Sequence, residues 1–417
     1  MSRNAPLVVG LVSGSHVVNH AYLLLFAPAF TLLSADFSVT IGQLGLAVGL
    51  VNAVVTLGQL PLGYVSDSYS HGAVLVGSLA VGTVGCGLAA LATSYELLLA
   101  AAVVMGLGIA GHHPAHYPLI SAAAPDAYRS RAYSAHGFAG ALGLALPFAV
   151  VPAAVALGFG WQAAFGAIAA FGAVYTVVAV VAVRRLPDSI TRAGAEARDA
   201  EESLVDALRA VDTAGDRFRL LVDRAAAYFR TIAGAPLILL LTALWFVNSA
   251  AVWGIRAYTA TLLDSGYGLE AGTASLVASA MLVVGAVVLL GGGYLADRIG
   301  PTPLLFVGYG SLVVFAGALS TNLLALVAAV GVALLLAATI DLSRPARATL
   351  TDLASERRDV GKNFALMTIG ISAGGAVAPP AFGYAIDIAG VHAAFAGVAA
   401  TAGVALLLSV SVARAAR

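Results

Sequence analysis

The chain has 417 residues, of which 60% are hydrophobic, and its 21 basic and 21 acidic residues together make up only 10% of the sequence. Soluble domains devote about a quarter of their residues to charge. The composition therefore excludes a soluble enzyme, a nucleic-acid-binding protein and a disordered protein. The single cysteine, Cys86, cannot form an intramolecular disulfide. A mean hydropathy of +0.94 is typical of a polytopic α-helical membrane protein.

Each of two apolar blocks, 1–188 and 236–417, contains six segments of about 20 residues or more, enough to cross a hydrocarbon core ~30 Å thick. We therefore predict an all-α membrane protein with twelve transmembrane helices in two six-helix bundles. The predicted spans are 6–33, 41–66, 73–93, 96–124, 130–157, 163–183, 236–263, 271–296, 303–320, 324–352, 361–387 and 392–413.

Charge is concentrated in the stretch that joins the two blocks. Between Arg184 and Ala235 the sequence has nine arginines and nine acidic residues. We interpret 189–235 as a cytoplasmic linker. Apolar residues recur at near-helical spacing in 201–229, which is compatible with an amphipathic helix on the membrane face; the interpretation we favour is a solvated linker that is partly helical.

The basic residues favour one orientation in the membrane. If the first span begins in the cytoplasm, the turns at 34–40, 94–95, 158–162, 264–270, 321–323 and 388–391 face outward, and none contains Lys or Arg. Of the 21 basic residues, all except Arg256 then lie in or beside inward turns and termini. The positive-inside rule thus places both termini in the cytoplasm.

The two blocks also resemble each other at an offset of 230 residues. Gly63–Asp67 reads Gly-Tyr-Val-Ser-Asp, and Gly293–Asp297 reads Gly-Tyr-Leu-Ala-Asp. Because each block has an even number of spans, both enter the membrane in the same sense. This is a parallel repeat, related by an axis along the membrane normal.

The second copy continues as Arg298-Ile299-Gly300 and resembles the signature turn of major facilitator superfamily transporters, which follows the second helix of each half. The resemblance covers the whole chain and implies a carrier in which these turns form a cytoplasmic gate. The gate residues it implies are Gly63, Asp67, Gly293, Asp297 and Arg298. In the first copy, Ser68–His71 replaces the basic residues usual in the family. The contacts that hold the gate closed in this half are therefore expected to be weaker or to use Arg129 or Arg131.

Three further short motifs resemble fosmidomycin-resistance-type efflux transporters. They are Ser15-His16 followed by Asn19-His20, then Gly111-His112-His113-Pro114, and the glycine-rich stretch from Gly137 to Pro147. This finer resemblance implies export driven by proton exchange. The sequence departs from the superfamily pattern at Ala102, where an arginine is frequent in the fourth helix, so proton coupling through that arginine is not expected.

Six of the eight histidines lie in the interior of predicted spans, where an ionisable side chain costs about 2.5–3.5 kcal/mol and indicates function. Pairs four residues apart share a helix face, and a histidine can exchange a proton near neutral pH. The family fold would gather the first and fourth spans around one cavity. The residues predicted there are His16, Asn19, His20, His112, His113, His116 and Tyr117. The alternative is hydrogen bonding between helices, which we favour for His136.

A metal site is the other interpretation of these pairs, because two histidines four residues apart can chelate a transition ion. No cysteine and few carboxylates are nearby, and tight ligation does not suit a carrier that must release its cargo. We therefore predict no metal and no other cofactor.

The seventh span contains Arg256, the one basic residue that does not lie near an inward turn or terminus. Aromatic and polar residues share its helix face. Its predicted cavity residues are Trp245, Asn248, Ser249, Trp253 and Arg256. A cation between aromatic side chains suits a carboxylate, phosphate or phosphonate. The alternatives are snorkelling toward the outer headgroups or pairing with Asp264.

The tenth span adds Asp341 and Arg344, which are three residues apart and can pair with each other. If the cavity separates them, Asp341 becomes a candidate proton site. Arg347 lies nearer the cytoplasm and is interpreted as an interface anchor.

These features predict a secondary active transporter of the cell membrane that works by alternating access. Proton-coupled efflux of a small amphiphilic or anionic compound is the leading hypothesis. The alternatives are proton-coupled uptake of an organic anion and a non-transporting sensor. The linker has no phosphate-binding loop and the chain no catalytic motif, so neither ATP-driven transport nor an enzyme is predicted. The expected partners are the bilayer, a small-molecule substrate and protons, and a monomer suffices.

Overall fold

The computed structural model of the protein describes residues 4–192, 236–340, 343–354 and 360–415, with a few isolated positions between 210 and 223. In these residues the chain forms helices and short connections, which confirms the all-α prediction. Ten helices in the described part are long and apolar enough to cross a membrane, so the chain is a multi-pass membrane protein. Most of 201–229, where the sequence allows a linker helix, lies outside the described residues.

The first block contains nine helices, three of them short. They are α1 (Ala5–Leu23), α2 (Phe30–Phe37), α3 (Ile41–Ser68), α4 (His71–Ala90), α5 (Tyr95–Ala110), α6 (His112–Ala123), α7 (Asp126–Ala156), α8 (Trp161–Arg184) and α9 (Asp188–Thr191). The described residues of the second block form α10 (Pro236–Thr261), α11 (Ala271–Ile299), α12 (Pro301–Ser320), α13 (Leu326–Ile340), α14 (Arg344–Leu353) and α15 (Val360–Ala415).

Prolines divide predicted spans that the sequence pattern treats as continuous. The predicted span 6–33 is interrupted after Leu23, and a 3₁₀ turn at Ala27–Ala29 leads into α2. Pro28 has no N–H to donate to the carbonyl of Leu24, which explains the break. The predicted span 96–124 is divided at Gly111, three residues before Pro114, for the same reason.

One glycine divides the long helix α15. Gly390 has φ +83° and ψ 166°, a conformation that favours glycine because it has no Cβ. The chain therefore changes direction there and separates 360–389 from 391–415. This is the turn predicted at 388–391.

The two blocks contact each other along two helix pairs, α3 with α15 and α7 with α11. The backbone N–H of Gly42 donates to the carboxylate of Asp387 at 2.9 Å. The hydroxyl of Ser275 donates to the carbonyl of Phe148 at 2.9 Å, and the hydroxyl of Ser279 to the carbonyl of Ala145 at 3.0 Å. These contacts all lie toward the end of the molecule that bears the turns at 38–40, 157–160, 267–270 and 388–391, which we call the sealed end.

Candidate transport site

Helices α1, α6 and α7 bring six histidine side chains together inside the first block. The ring centroid of His16 lies 3.9 Å from that of His20 and 3.9 Å from that of His136. The ring of His116 lies 4.0 Å from that of His136. We call this group the histidine cluster; its members are His16, His20, His112, His113, His116 and His136. His136, interpreted from sequence as a simple interhelical contact, is thus a full member of the cluster.

Two carbonyl groups of α7 orient the rings of His16 and His20. Nδ1 of His16 donates to the carbonyl oxygen of His136 at 2.8 Å, and Nδ1 of His20 donates to the carbonyl oxygen of Gly140 at 3.0 Å. A carbonyl can only accept, so each Nδ1 must carry a hydrogen. The two Nε2 atoms then face each other at a distance of 2.7 Å.

Two glycines of α7 allow this close approach of α1. A Cβ placed on Gly140 would lie 2.6 Å from Nδ1 of His16, and one on Gly143 would lie 2.9 Å from Cβ of His20. Such separations are too short for any real side chain. The glycine-rich stretch of the sequence therefore has a specific function, which is to admit the His16 ring and the backbone of α1 against α7.

We expect Gly140→Ala to destabilise the protein and to disorder the His16 ring. Overpacking of this kind costs about 1–3 kcal/mol. The matched control is Gly137→Ala, one turn earlier on the same helix, where an added Cβ meets nothing within 4 Å. Thermal unfolding of both variants in detergent checks the prediction, and equal stability of the two would contradict it.

The remaining histidines leave unused hydrogen-bonding capacity in the site. The Ser15 hydroxyl donates to the Val12 carbonyl and therefore accepts from Nε2 of His112, 3.0 Å away. Nδ1 of His116 donates to the carbonyl of His112 at 2.9 Å. Around the cluster, three described residues have buried side-chain atoms without a hydrogen-bond partner in the structure: the Asn19 amide group, Nδ1 of His113 and Nε2 of His116. Buried polar atoms normally bind something, so the cluster can accept a polar ligand. Tyr117 packs on His116 at 4.2 Å and remains 47% exposed at the margin of the cluster.

Arg256 of α10 lines a narrow cleft between the two blocks. The other lining residues come from α7, α11 and α13 and are apolar: Ala141, Leu144, Met281, Leu282, Gly285, Ala337 and Ile340. Ala141 follows Gly140, whose carbonyl binds His20, so the cleft and the histidine cluster adjoin across α7. Arg256 is close enough to His20 to act on it electrostatically.

The other residues predicted along α10 are separated by the fold. The Arg347 guanidinium lies 4.2 Å from the centroid of the Trp245 ring and donates to the Tyr309 hydroxyl at 3.2 Å. With 2% of its surface exposed, Arg347 is not the interface anchor predicted from sequence. The Trp245 ring face and the Tyr309 hydroxyl compensate its burial.

Two further residues of α10 contact α15. Ser249 donates to the carbonyl of Ile371 at 2.6 Å, which holds the two helices together. Trp253 lies against Gly375 beside Asn52, a buried α3 residue that sequence reasoning missed. Asn248 is buried on the same helix, and its Oδ1 has no recorded partner among the described residues.

The structure describes some, but not all, of the side chains of the predicted cytoplasmic gate. Oδ1 of Asp67 lies 3.7 Å from Nδ1 of His71, the first residue of α4, and Ser66 contacts the same nitrogen at 2.8 Å. A Cβ on Gly63 would meet Pro114 at 3.6 Å, an ordinary contact. Arg298 is exposed near the end of α11. Gly293 and Asp297 lie within α11, but the Asp297 side chain lies outside the described residues.

The predicted pair in the tenth span is also described in part. Arg344 is exposed at the start of α14 and acts electrostatically on His113 and His136. Asp341 lies outside the described residues, so its pairing with Arg344 stays a prediction.

One group of described residues has the spacing to approach a metal ion. Ring nitrogens of His16, His20 and His113 lie within 4.8 Å of one another. A tetrahedral zinc ion with bonds of about 2.0–2.1 Å holds its ligand nitrogens roughly 3.3 Å apart. The Nε2 atoms of His16 and His20 are 2.7 Å apart, which matches a hydrogen bond better than metal ligation.

Comparison with known proteins places this architecture in a family. The sequence model of one protein family, the Major Facilitator Superfamily, matches residues 12–343 and 246–416. The chain belongs to the major facilitator superfamily. Proteins of this superfamily are secondary transporters, so membership indicates a membrane transporter rather than an enzyme. No curated protein shows a significant sequence match to it.

Several solved structures share the fold at low sequence identity. A bacterial homologue of the human lysosomal transporter Spinster, in an inward-facing and occupied conformation, is 14% identical with a TM-score of 0.76, over 99% of this chain and 98% of that chain. The D-xylose–proton symporter is 13% identical with a TM-score of 0.76, over 97% and 96%. The nucleoside transporter NupG is 11% identical with a TM-score of 0.74, over 98% and 100%. At these identities the likeness concerns the fold and not the substrate.

Proposed function

We propose that this superfamily member carries a small organic anion with an apolar body across the cell membrane, together with a proton, by alternating access. The observation that carries the proposal is the charge of the central site. Arg256 of the second block lines an apolar cleft whose α7 wall adjoins the histidine cluster of the first block, and it acts electrostatically on His20. The recorded partners of the histidine cluster, among the described residues, include no carboxylate. Such a site suits a carboxylate, phosphate or phosphonate group.

The charges also favour a direction of coupling. An anion and a proton bound at one site attract each other, and by linkage each increases the affinity for the other by the same factor. Both ligands then occupy the same state of the carrier, which is the condition for cotransport. Proton-driven efflux by exchange, the leading hypothesis from sequence, requires instead that the two ligands compete. The geometry therefore supports the alternative, proton-coupled uptake.

We infer twelve membrane crossings with both termini in the cytoplasm. Ten helices meet the length criterion in the described part. Gly390 divides the last of them, and the 15-residue apolar helix α13 supplies another crossing together with the segment that follows it. The linker 189–235 then joins two bundles, 1–188 and 236–417. With the positive-inside orientation, the sealed end faces outward and the site is reached from the cytoplasm. One chain holds the whole site, so a monomer suffices.

Flux in proteoliposomes tests the coupling. The purified transporter is reconstituted with a fluorescent pH probe in the lumen, and potassium with valinomycin holds the membrane potential at zero. Phosphonates, including fosmidomycin, and sulfonates are added outside in turn. These anions stay charged and do not carry protons across the lipid by themselves.

Cotransport acidifies the lumen when the carried anion is added, and we expect this result. Alkalinisation of the lumen would instead establish exchange of the anion for protons and would support the efflux hypothesis. Binding of an anion with no movement of either ligand would favour the sensor. Liposomes without protein provide the background rate.

A further inference from the structure

The contacts of His16 and His20 require one more proton than two neutral imidazoles carry. Three short contacts involve their ring nitrogens: 2.8 Å from His16 to the His136 carbonyl, 2.7 Å between the two Nε2 atoms, and 3.0 Å from His20 to the Gly140 carbonyl. Each contact needs one hydrogen between the two heavy atoms. Two neutral histidines supply two hydrogens, and both are used by the carbonyls. Without a third, two lone pairs would face each other at 2.7 Å.

Changing tautomers does not remove this conflict. If Nδ1 of either ring lost its hydrogen to Nε2, the Nε2 contact would be satisfied. The Nδ1 lone pair would then face a carbonyl oxygen at 3.0 Å or less. The carbonyl groups belong to α7 and cannot rotate, so one repulsive contact always remains in the neutral pair. A third proton satisfies all three contacts.

We propose that His16 and His20 share a single proton between their Nε2 atoms and that this pair is the proton-carrying site of the transporter. The inference rests on the proposed function, since it names the residues that carry the coupled proton. In the carrying state the pair has one positive charge. The proton leaves when the pair returns to the neutral form and the rings separate.

The groups around the pair explain why the proton binds together with an anion. His112, His113 and His116 face it from α6, His136 from α7, and Arg256 from α10. Arg344 of α14 acts on His113. The described groups are neutral or positive, and Asp341 lies outside the described residues. Without an anion the charged pair forms only at acidic pH, because burial and the neighbouring positive charge oppose it, and an anion beside Arg256 stabilises it at neutral pH. Departure of the anion then expels the proton.

Nitrogen NMR on the full chain tests the pair without any substrate. The transporter is labelled with ¹⁵N-histidine and placed in lipid nanodiscs at a series of pH values. A shared proton gives a scalar coupling between the two Nε2 nuclei across the hydrogen bond. We expect this coupling in the wild type at acidic pH and its loss in His20→Gln. It should persist in His392→Gln, because His392 contacts the carbonyls of Leu319 and Gly266 outside the cluster.

Other results would overturn the proposal. One is the absence of this coupling in the wild type at every acidic pH at which the protein remains folded. Another is a spectrum that changes when a metal chelator is added, because the cation between the rings would then be a metal ion.

The flux assay separates this inference from the proposed function. His20→Gln should lose anion-driven acidification of the lumen, while His392→Gln keeps it. If the coupling is seen but no anion moves protons, the pair exists and the proposed function fails. If acidification persists in His20→Gln, the proposed function holds and the proton is carried elsewhere, which overturns the inference.

Discussion

Replacing Arg256 with glutamine is expected to weaken binding of the transported anion by roughly 10- to 150-fold. A hydrogen bond to a charged group contributes about 1.5–3 kcal/mol, and the apolar lining of the Arg256 cleft offers no replacement donor. Lysine should restore part of the affinity, because it keeps the charge but loses the planar guanidinium that binds an anion through two donors. The half-saturation concentration for anion-driven acidification of proteoliposomes measures the effect.

The matched control for this substitution is Arg192→Gln. Arg192 is 53% exposed and pairs at 3.5 Å with Asp188 on the short helix α9, far from the cleft in sequence and in the fold. Surface pairs contribute little, so this variant should transport like the wild type. Equal losses in both variants would point to a general effect of arginine removal. An unchanged Arg256→Gln would remove the cation from the proposed site.

Replacing Gly49 with valine is expected to force the sealed end apart. A Cβ on Gly49 would lie 2.5 Å from the carbonyl oxygen of Ala376 and 2.8 Å from Cδ of Pro380. Both atoms belong to rigid parts of α15, so no side-chain rotation relieves the clash. Overpacking costs about 1–3 kcal/mol, which is enough to shift an equilibrium between two carrier states by roughly 5- to 150-fold. Transport should slow because the sealed state is rarely reached.

Spin labels at the sealed end measure the shift. Phe159 and Ile388 are exposed, lie on opposite blocks and flank the turns at that end. The labels are attached in Phe159→Cys and Ile388→Cys, after the buried Cys86 has been replaced by alanine. The distance distribution should move to longer values in Gly49→Val. Gly87→Val, where a Cβ meets nothing within 4 Å, should keep the wild-type distribution. Identical distributions in the two variants would show that the α3–α15 contact does not hold the blocks together.

Much of the architecture follows from local sequence because the bilayer imposes a simple rule. A crossing helix needs about 20 apolar residues, so most helix limits could be read directly. Local spacing also identified which histidines share a helix face, since residues four apart lie one above the other. The breaks near Pro28 and Pro114 were missed, although their cause is local. Membrane helices often tolerate proline, and the pattern does not show where a neighbour compensates for the lost hydrogen bond.

Composition and periodicity alone determined that this chain is a helical membrane protein, and they predicted two similar halves with histidines and Arg256 in the spans. Only the tertiary structure decided what those residues contact. The carbonyls that fix the His16 and His20 rings are 120 residues away in the chain. Arg347 is buried because Trp245 and Tyr309 come from other helices. A side chain's protonation and burial depend on the atoms that face it, and those atoms are chosen by helix packing rather than by sequence neighbours.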